Sequence, residues 1–194
     1  MTKVYLVRHG PTHAKTLVGW SDLPADLSDT AALARLDAYL PSDAVIISSD
    51  LSRAKATADA IQGERRRLPH DPDLREINFG DWELQRFDEI KDQEHIRAYW
   101  ETPGEISPPN GESWNDIRAR VNTVVDRLVT RQVEANSGAD IVIVAHFGVI
   151  LTQVQRAAGI TAYQAFGHKI DNLSVTDVQI TQTGWRVGDI NHNP

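Results

Sequence analysis

The chain has 194 residues, of which 41% are hydrophobic and 24% charged, a composition typical of one soluble globular domain. It contains no cysteine, which excludes a disulfide framework, a thiolate metal site and a thiol nucleophile. The formal net charge of -7 argues against a general nucleic-acid binder, and no apolar run approaches the ~20 residues of a membrane span. We therefore expect a cytoplasmic protein with neither a nucleic-acid nor a membrane partner, and we leave its oligomeric state open.

The first half of the chain predicts strands that alternate with helices. Residues 4–7 and 44–48 are short apolar runs typical of buried strands. Between them, leucines at helical spacing predict a helix over 30–40, and a second apolar stripe predicts a helix over 51–61. The basic run Arg65–Arg67 is interpreted as a solvated turn.

The second half begins with a less regular, proline-containing stretch over 69–111, in which we predict a helix over 87–100. The remaining predicted elements are an amphipathic helix over 113–135, a strand over 141–145, a helix over 148–158 and a closing pair of strands over 174–180 and 185–190. Alternation of strands and helices predicts an α/β fold with a mostly parallel central sheet covered by helices on both faces, a three-layer α/β/α sandwich.

Charged and imidazole side chains directly follow three of the predicted strands. The first strand runs into Arg8 and His9, the second is followed by Arg53, and the strand over 141–145 runs into His146 at the start of a helix. In parallel sheets ligands bind beyond the carboxyl ends of the strands, so these residues are expected to meet. Arginine and a helix N-terminus both suit phosphate oxygens, so the sequence predicts a phosphate site at this edge.

Five motifs occur in a fixed order between residue 4 and about residue 150. They are Leu6–Gly10 with Thr12, Ser48–Ala54 with Thr57 and Ala58, Leu74–Glu83, Asn110–Ser113 with Arg120 and Val121, and Val142–Gly148. This series resembles the histidine phosphatase superfamily, which includes cofactor-dependent phosphoglycerate mutases and many phosphomonoesterases. The resemblance implies a phosphoglycerate mutase-like fold, a single domain over 1–194 with a lid-like insertion at about 84–110, and no metal or cofactor.

Position by position, the resemblance implies that His9 is the nucleophile and becomes phosphorylated. Arg8, Arg53 and His146 would hold the phosphoryl oxygens, and Glu76 would donate a proton to the leaving oxygen. Simple chemistry agrees, because nearby guanidinium groups keep an imidazole unprotonated and stabilise charge on a transferring phosphoryl group. Two other readings stay open, namely that Glu76 is a salt-bridge partner of an arginine and that Arg53 is a solvated surface residue.

Further candidates for substrate contacts are Thr12, Lys15, Phe147 and Gly148. Lys15 stands where an asparagine that touches phosphate is common in the family, and Phe147 stands where a glycine is usual. His13, close to the nucleophile, is either a surface residue or part of the mouth of the site. These departures leave the identity of the substrate open beyond a small phosphorylated metabolite.

The function expected from the resemblance is a metal-independent phosphomonoesterase that works through a phosphohistidine on His9. A mutase is the alternative, although mutases of the family carry a longer insertion and a shielding C-terminal tail, whereas only residues 191–194 follow the last predicted strand here. An alpha-ribazole phosphatase is a narrower version of the first reading. A catalytically silent binding module is the third, and it would be expected to have lost His9, His146 or Glu76.

Overall fold

The structure is a computed structural model that describes residues 2–135, 138–181 and 183–194. Its centre is a sheet whose strands are β1 (Thr2–Arg8), β2 (Val45–Ser48), β3 (Arg66–Arg67), β4 (Ile141–Ala145), β5 (Val175–Thr181) and β6 (Gly184–Val187). Their order is β3-β2-β4-β1-β5-β6. The first four in this order are mutually parallel, whereas β5 runs antiparallel to β1 and β6 antiparallel to β5.

The helices are α1 (Thr30–Tyr39), α2 (Ser52–Ala60), α3 (Gln93–Glu101), α4 (Trp114–Glu134), α5 (Phe147–Ala158) and α6 (Ala162–Ala165), with short 3₁₀ turns at Pro72–Leu74, Gly80–Trp82 and Phe87–Glu89. Side-chain caps fix several of the helix starts; for example, Asp29 accepts from the amide of Ala32 and Ser113 from the amide of Asp116. Within the described part of the chain, no helix is both long and apolar enough to cross a membrane.

Alternate residues of the central strands enter two separate hydrophobic cores. On one face Val4 and Leu6 pack in a cluster with residues of α4 and α5, whereas on the other face Val7 packs in a cluster with residues of α1 and α2. Helices therefore cover both faces of a mostly parallel sheet. The α/β fold predicted from the sequence is confirmed.

The helix predicted over 87–100 is wrong in its first part. The chain makes only a 3₁₀ turn at Phe87–Glu89 and restarts as α3, because the Asp92 side chain accepts a hydrogen bond from the amide of His95 and caps a new helix. The last strand is also shorter than predicted, since β6 ends at Val187.

The solvated turn predicted for Arg65–Arg67 is wrong as well. Arg65 is buried, and its guanidinium donates hydrogen bonds to the carbonyls of Leu40, Pro41 and Ile61 and pairs with Asp37. The next two residues form β3, the edge strand beside β2. Arg65 therefore serves carbonyl groups around the C-terminal ends of α1 and α2, a role that only the tertiary structure creates.

Candidate active site

The carboxyl ends of β1, β2 and β4 meet at one edge of the sheet. In register, Arg8 lies opposite Ala145 and Ser48 lies opposite Val144. The ladder extends one residue further, since the His9 amide donates to the Ala145 carbonyl over 3.0 Å. The three strand ends singled out in the sequence are thus brought together.

His9 is held in one tautomer by two contacts. Its Nδ1 lies 2.6 Å from the Gly10 carbonyl oxygen, which can only accept, so Nδ1 carries the proton. The Arg53 Nε, which can only donate, lies 3.3 Å from His9 Nε2. The Nε2 lone pair is therefore free of a proton and available to a nucleophilic reaction.

The electrostatics of the site keep both of its histidines neutral. Burial, together with the positive charge of Arg53, lowers the pKa of His9 to about 3. Burial likewise holds the pKa of His146 well below its ordinary value, with contributions from His9 and Arg53. A neutral imidazole is the form that can attack phosphorus.

His146 lies beside the nucleophile, with 5.0 Å between the two ring centroids. It is fully buried at the N-cap position of α5, and its Nε2 is 2.7 Å from the Ser49 hydroxyl. Its Nδ1 is buried and has no hydrogen-bond partner among the described residues. Because a buried polar atom without a partner is costly, this nitrogen is suited to a ligand.

Arg8 is fixed from two sides. Its Nη1 donates to the Ile170 carbonyl over 2.6 Å, and its guanidinium lies 5.6 Å from the centre of the Phe147 ring. Its buried Nε has no partner in the part of the chain that the structure describes. Arg8 therefore retains a donor for an anion, and Phe147 forms part of its support.

Arg53 is not the solvated surface residue that one reading of the sequence allowed. It is 1% exposed, and beyond its contact with His9 it donates to the carbonyls of Gly19 at 2.6 Å and Ser21 at 2.8 Å. It thus connects the nucleophile to the loop over 19–21. Arg53 therefore stabilises the fold as well as supplying positive charge to the site.

Glu76 is buried at the start of α5. Its carboxylate accepts from the amide of Gly148 at 3.0 and 3.1 Å and from that of Ile77 at 3.0 Å. A Cβ at Gly148 would lie 2.4 Å from a Glu76 carboxylate oxygen, so a larger residue here would displace this carboxylate. Burial raises the pKa of Glu76 in spite of these hydrogen bonds. A carboxyl group with a raised pKa is suited to proton donation.

The salt-bridge reading of Glu76 also finds no support. Arg75 pairs with Asp50, with both guanidinium contacts at 2.6 to 2.7 Å. Arg120 instead donates to the backbone carbonyls of Arg75 and Glu76, each over 2.8 Å, while Glu112 accepts from Arg120 itself. The Asn110–Ser113 motif with Arg120 thus positions the segment that carries Glu76.

Sequence reasoning missed several residues that hold the nucleophile in place. The Thr57 hydroxyl accepts from the Gly10 amide and donates to the Arg53 carbonyl, and the Ser49 hydroxyl contacts His146. Both lie inside motifs that the sequence analysis quoted without assigning them a role. Asn172, whose side-chain amide donates to the His9 carbonyl over 2.8 Å, carries no local signal.

The remaining candidate residues differ in whether they line the cavity in front of His9. Thr12 lines the cavity in front of the nucleophile, as does Phe147, whereas Lys15 is exposed and is not among the residues that line it. His13 is exposed, forms a 2.8 Å contact with Asp26 and lines a different cavity. Of the mouth residues considered, the structure therefore brings Thr12 and Phe147 to the site and turns His13 away.

The cavity in front of His9 has a volume of about 230 Å³. We call the part of the lining formed by Arg8, His9, Arg53 and Glu76 its inner end, because His9, Arg53 and Glu76 are buried. Its other walls are formed by Thr12, Ala14, Thr16, Leu17, Val18, Phe79, Trp100 and Phe147. Among residues 2–135, 138–181 and 183–194, no cluster of three or more histidine or carboxylate side chains has the arrangement of a metal site.

The model of the histidine phosphatase superfamily (branch 1) matches residues 4–193. The chain belongs to this superfamily. The membership inferred from the five sequence motifs is therefore confirmed.

Relatives within the histidine phosphatases cover nearly the whole chain. The adenosylcobalamin/alpha-ribazole phosphatase of Escherichia coli K12 is 27% identical over 189 residues, which span 93% of this chain and 91% of the relative. A probable phosphoglycerate mutase, GpmB, of Shigella boydii is 28% identical over 208 residues, covering 99% and 95% of the two chains. The solved structure of Bacillus stearothermophilus YhfR superposes with a TM-score of 0.88 at 27% identity and covers 99% of this chain and 98% of its own.

Proposed function

We propose that this protein is a phosphomonoesterase that cleaves small phosphate esters through a phosphohistidine on His9. The observation that carries the proposal is the unprotonated Nε2 of His9, held by the Gly10 carbonyl and by Arg53 at the inner end of a cavity that Glu76 also lines. Such a nucleophile, with cations around it and a protonatable carboxyl group opposite, has the parts that phosphoryl transfer requires.

In the first step, the Nε2 lone pair forms a bond to phosphorus while the bond from phosphorus to the ester oxygen breaks. Arg8, Arg53 and His146 Nδ1 hold the phosphoryl oxygens and stabilise their charge. The carboxyl group of Glu76 gives its proton to the leaving oxygen, and an alcohol departs. Positive charge that develops on the His9 ring is stabilised through its Nδ1–H bond to the Gly10 carbonyl.

In the second step, water attacks the phosphorus of the phosphohistidine. The Glu76 carboxylate takes a proton from this water, the nitrogen–phosphorus bond breaks, and its electron pair returns to Nε2. Inorganic phosphate is released and Glu76 is protonated again. The cycle is closed without a metal ion or a cofactor as a reactant.

The direct test is to trap the intermediate. Enzyme quenched during turnover of ³²P-labelled ester is expected to carry an acid-labile, base-stable phosphate on His9. The His13→Ala variant, which alters an exposed histidine, should label like the wild type, whereas His9→Ala should not label. Phosphate found on Ser49, Thr12 or His146 would contradict the assignment.

The mutase alternative is favoured by one observation, namely the name of the Shigella boydii relative. A mutase returns the phosphoryl group to a second hydroxyl of an organic acid, whereas a phosphatase gives it to water. Pre-labelled phosphoenzyme mixed with excess 3-phosphoglycerate separates the two outcomes. We expect label in inorganic phosphate; label in bisphosphoglycerate would favour the mutase.

A further inference from the structure

The walls of the cavity differ sharply in charge between its two ends. The inner end carries Arg8, Arg53 and Glu76, all of which the proposed reaction uses. The outer walls are formed by two threonines and by apolar side chains, which are Ala14, Leu17, Val18, Phe79, Trp100 and Phe147. Among the described residues that line the cavity, the inner end therefore holds the whole set of charged side chains.

Nearby basic side chains do not make up for this absence. Arg86 pairs with Asp88 on the protein surface, and Lys91 and Arg97 are exposed and do not belong to the cavity lining. Lys15 also lies outside the lining. A carboxylate or a second phosphate on the substrate would thus enter an apolar wall without a counterion, which is unfavourable.

The aromatic side chains of this wall are held in place by contacts with neighbouring side chains. The Trp100 ring is packed edge-on against Tyr99 at 5.0 Å and Phe166 at 5.3 Å between centroids. Phe147 is fixed under the Arg8 guanidinium. Rigid aromatic surfaces of this kind bind apolar or flat groups with little loss of conformational freedom.

We propose that the physiological substrate is a monophosphate ester whose alcohol part is uncharged and carries an aromatic or branched apolar group against Trp100 and Phe147. This inference rests on the proposed phosphatase function and adds the substrate class to it. It disfavours substrates with a second anionic group, such as phosphorylated organic acids.

The test compares three alkyl phosphates with leaving alcohols of similar reactivity, namely 2-phenylethyl phosphate, ethyl phosphate and 3-phosphoglycerate. The expected kcat/KM for 2-phenylethyl phosphate is at least tenfold above each of the others, about 1.4 kcal/mol. Equal values for the three, or a preference for 3-phosphoglycerate, would overturn the substrate class while leaving a phosphatase. Absence of hydrolysis of all three esters would overturn the proposed function and this inference with it.

Substitutions in the cavity wall test which residues cause the preference for 2-phenylethyl phosphate. Trp100→Ala should reduce the ratio of 2-phenylethyl to ethyl phosphate severalfold, and Trp100→Phe should retain most of it. Phe87 is an exposed aromatic residue outside the lining, so Phe87→Ala is the matched control and should not change the ratio.

Because loss of Trp100 can disturb packing, Val18→Lys is a second test, and it should raise the activity on 3-phosphoglycerate relative to the other two esters. Unchanged ratios in both Trp100→Ala and Val18→Lys would overturn the assignment.

A second inference concerns Glu83, the last residue of the Leu74–Glu83 motif. Its oxygens accept hydrogen bonds from the amides of Gly19, Trp20 and Ser21 and from the Ser21 hydroxyl, at 2.6 to 3.3 Å. Glu83 is absent from the cavity lining and is thus not placed to reach a leaving group. Its carboxylate instead fixes the loop over 19–21.

That loop is the support of Arg53. The Gly19 and Ser21 carbonyls accept from the two terminal nitrogens of the Arg53 guanidinium, whose Nε contacts His9. A Cβ at Gly19 would lie 2.4 Å from a Glu83 oxygen and 1.9 Å from the Ile77 carbonyl, so the loop can be packed this closely only with glycine. We infer that Glu83 is a positioning residue that sets the Arg53 guanidinium through this loop.

The substitution Glu83→Gln replaces an acceptor oxygen by a donor that faces backbone amides. A displacement of this kind is expected to lower kcat/KM by roughly 10- to 100-fold. The loss should be equal for p-nitrophenyl phosphate and for an alkyl phosphate, and the inhibition constant of inorganic phosphate should rise. Glu94→Gln, at an exposed glutamate in the first turn of α3, is the matched control.

Two outcomes would overturn the role of Glu83. A loss confined to alkyl phosphates would make Glu83 a proton donor. A lower melting temperature with unchanged kcat/KM and phosphate inhibition at 25 °C would make it a purely structural residue.

Discussion

The inner and outer ends of the active-site cavity are built in different ways. At the inner end, His9 and Arg53 are nearly fully buried, and the neighbouring His146 is fully buried. Each of the three is fixed by hydrogen bonds to nearby residues. At the outer end the walls come from the loop after His9, from Trp100 and from Phe147. The reacting residues His9 and His146 therefore directly follow strands β1 and β4, whereas the substrate-facing walls come from the loop after His9 and from helices α3 and α5.

This difference indicates how one fold can place the reacting residues and the residues that select the substrate in separate parts of the site. Side chains at aligned strand ends keep their positions because the backbone ladder sets them, as the pairing of Arg8 with Ala145 illustrates. Loop residues such as Lys15 and His13 are free to change with little effect on these positions. Mutations at the two ends are expected to differ in size by orders of magnitude.

The largest effect is expected from His9→Ala. Removal of the nucleophile should lower kcat by between about 10⁴ and 10⁶, the range that loss of a nucleophile costs in other enzymes. The rate of p-nitrophenyl phosphate hydrolysis measures this change. His13→Ala is the matched control, since its imidazole pairs with Asp26 away from the cavity. A similar loss in both variants would contradict the proposed difference between the two ends of the cavity.

Glu76→Gln is expected to affect substrates unequally. General acid catalysis contributes about 10² to 10⁴-fold when the leaving alkoxide is a strong base, whereas p-nitrophenolate leaves without a proton. Single-turnover formation of the phosphohistidine should thus fall strongly with an alkyl phosphate and much less with p-nitrophenyl phosphate. An equal loss on both substrates would mean that Glu76 orients groups without donating a proton.

Arg53→Ala should reduce both activity and stability. Loss of a charged donor at the transferring phosphoryl group is expected to cost roughly 10² to 10³ in rate. The buried Gly19 carbonyl loses its partner, at about 1 to 3 kcal/mol, and the half-buried Ser21 carbonyl loses its partner as well. Urea unfolding and phosphate inhibition measure the two effects. Arg97→Ala, an exposed arginine of α3, is the control, and equal stability of the two variants would show that Arg53 serves the ligand alone.

The neutral histidines make stability depend on pH. The pKa of His9 is about 3 when folded, and a histidine in an unfolded chain titrates near 6.5. The unfolded state therefore binds more protons between these values, and the stability that His9 and His146 contribute is complete above about pH 6.5 and lost as the pH falls. The raised pKa of Glu76 acts in the opposite direction at low pH.

Urea unfolding at pH 7.5 and pH 5 is the measurement for this effect. We expect a lower free energy of unfolding at pH 5, by at most about 1.4 kcal/mol per pH unit for each histidine. His146→Asn should flatten the dependence. A wild-type stability that is equal at the two pH values would contradict the burial argument.

The smallest effect is expected at the outer loop. Lys15→Ala should change kcat/KM by less than about threefold, because this exposed side chain does not line the cavity. Rates on p-nitrophenyl phosphate at low ionic strength are the most sensitive test. A tenfold loss would instead show that Lys15 contacts the bound substrate.

The sequence was most informative where charged or imidazole residues directly follow a buried strand. Short apolar runs predicted β1, β2 and β4, and the motifs predicted which of the following residues would meet. Contacts made over long separations in the chain were not predictable in this way. Asn172 reaches the His9 carbonyl across 163 residues, and no property of the surrounding sequence indicates it.

Two wrong predictions share one physical cause. Arg65 was interpreted as solvated because local sequence shows charge but not the carbonyl groups that tertiary structure brings to it. The helix predicted over 87–100 begins too early, because the Asp92 cap decides where α3 begins. In both cases a specific hydrogen bond outweighed an average tendency of the sequence.

The burial of Arg65 has a consequence for cooperative unfolding. One guanidinium serves the carbonyls of Leu40 and Pro41 after α1 and of Ile61 after α2, and it does so from the residue next to β3. Opening of either helix end would remove acceptors from this buried charge, so we infer that the two helices and the edge strand open together. We therefore expect their amides to be protected as one unit in hydrogen exchange, with α1 and α2 on the opposite face of the sheet from α4.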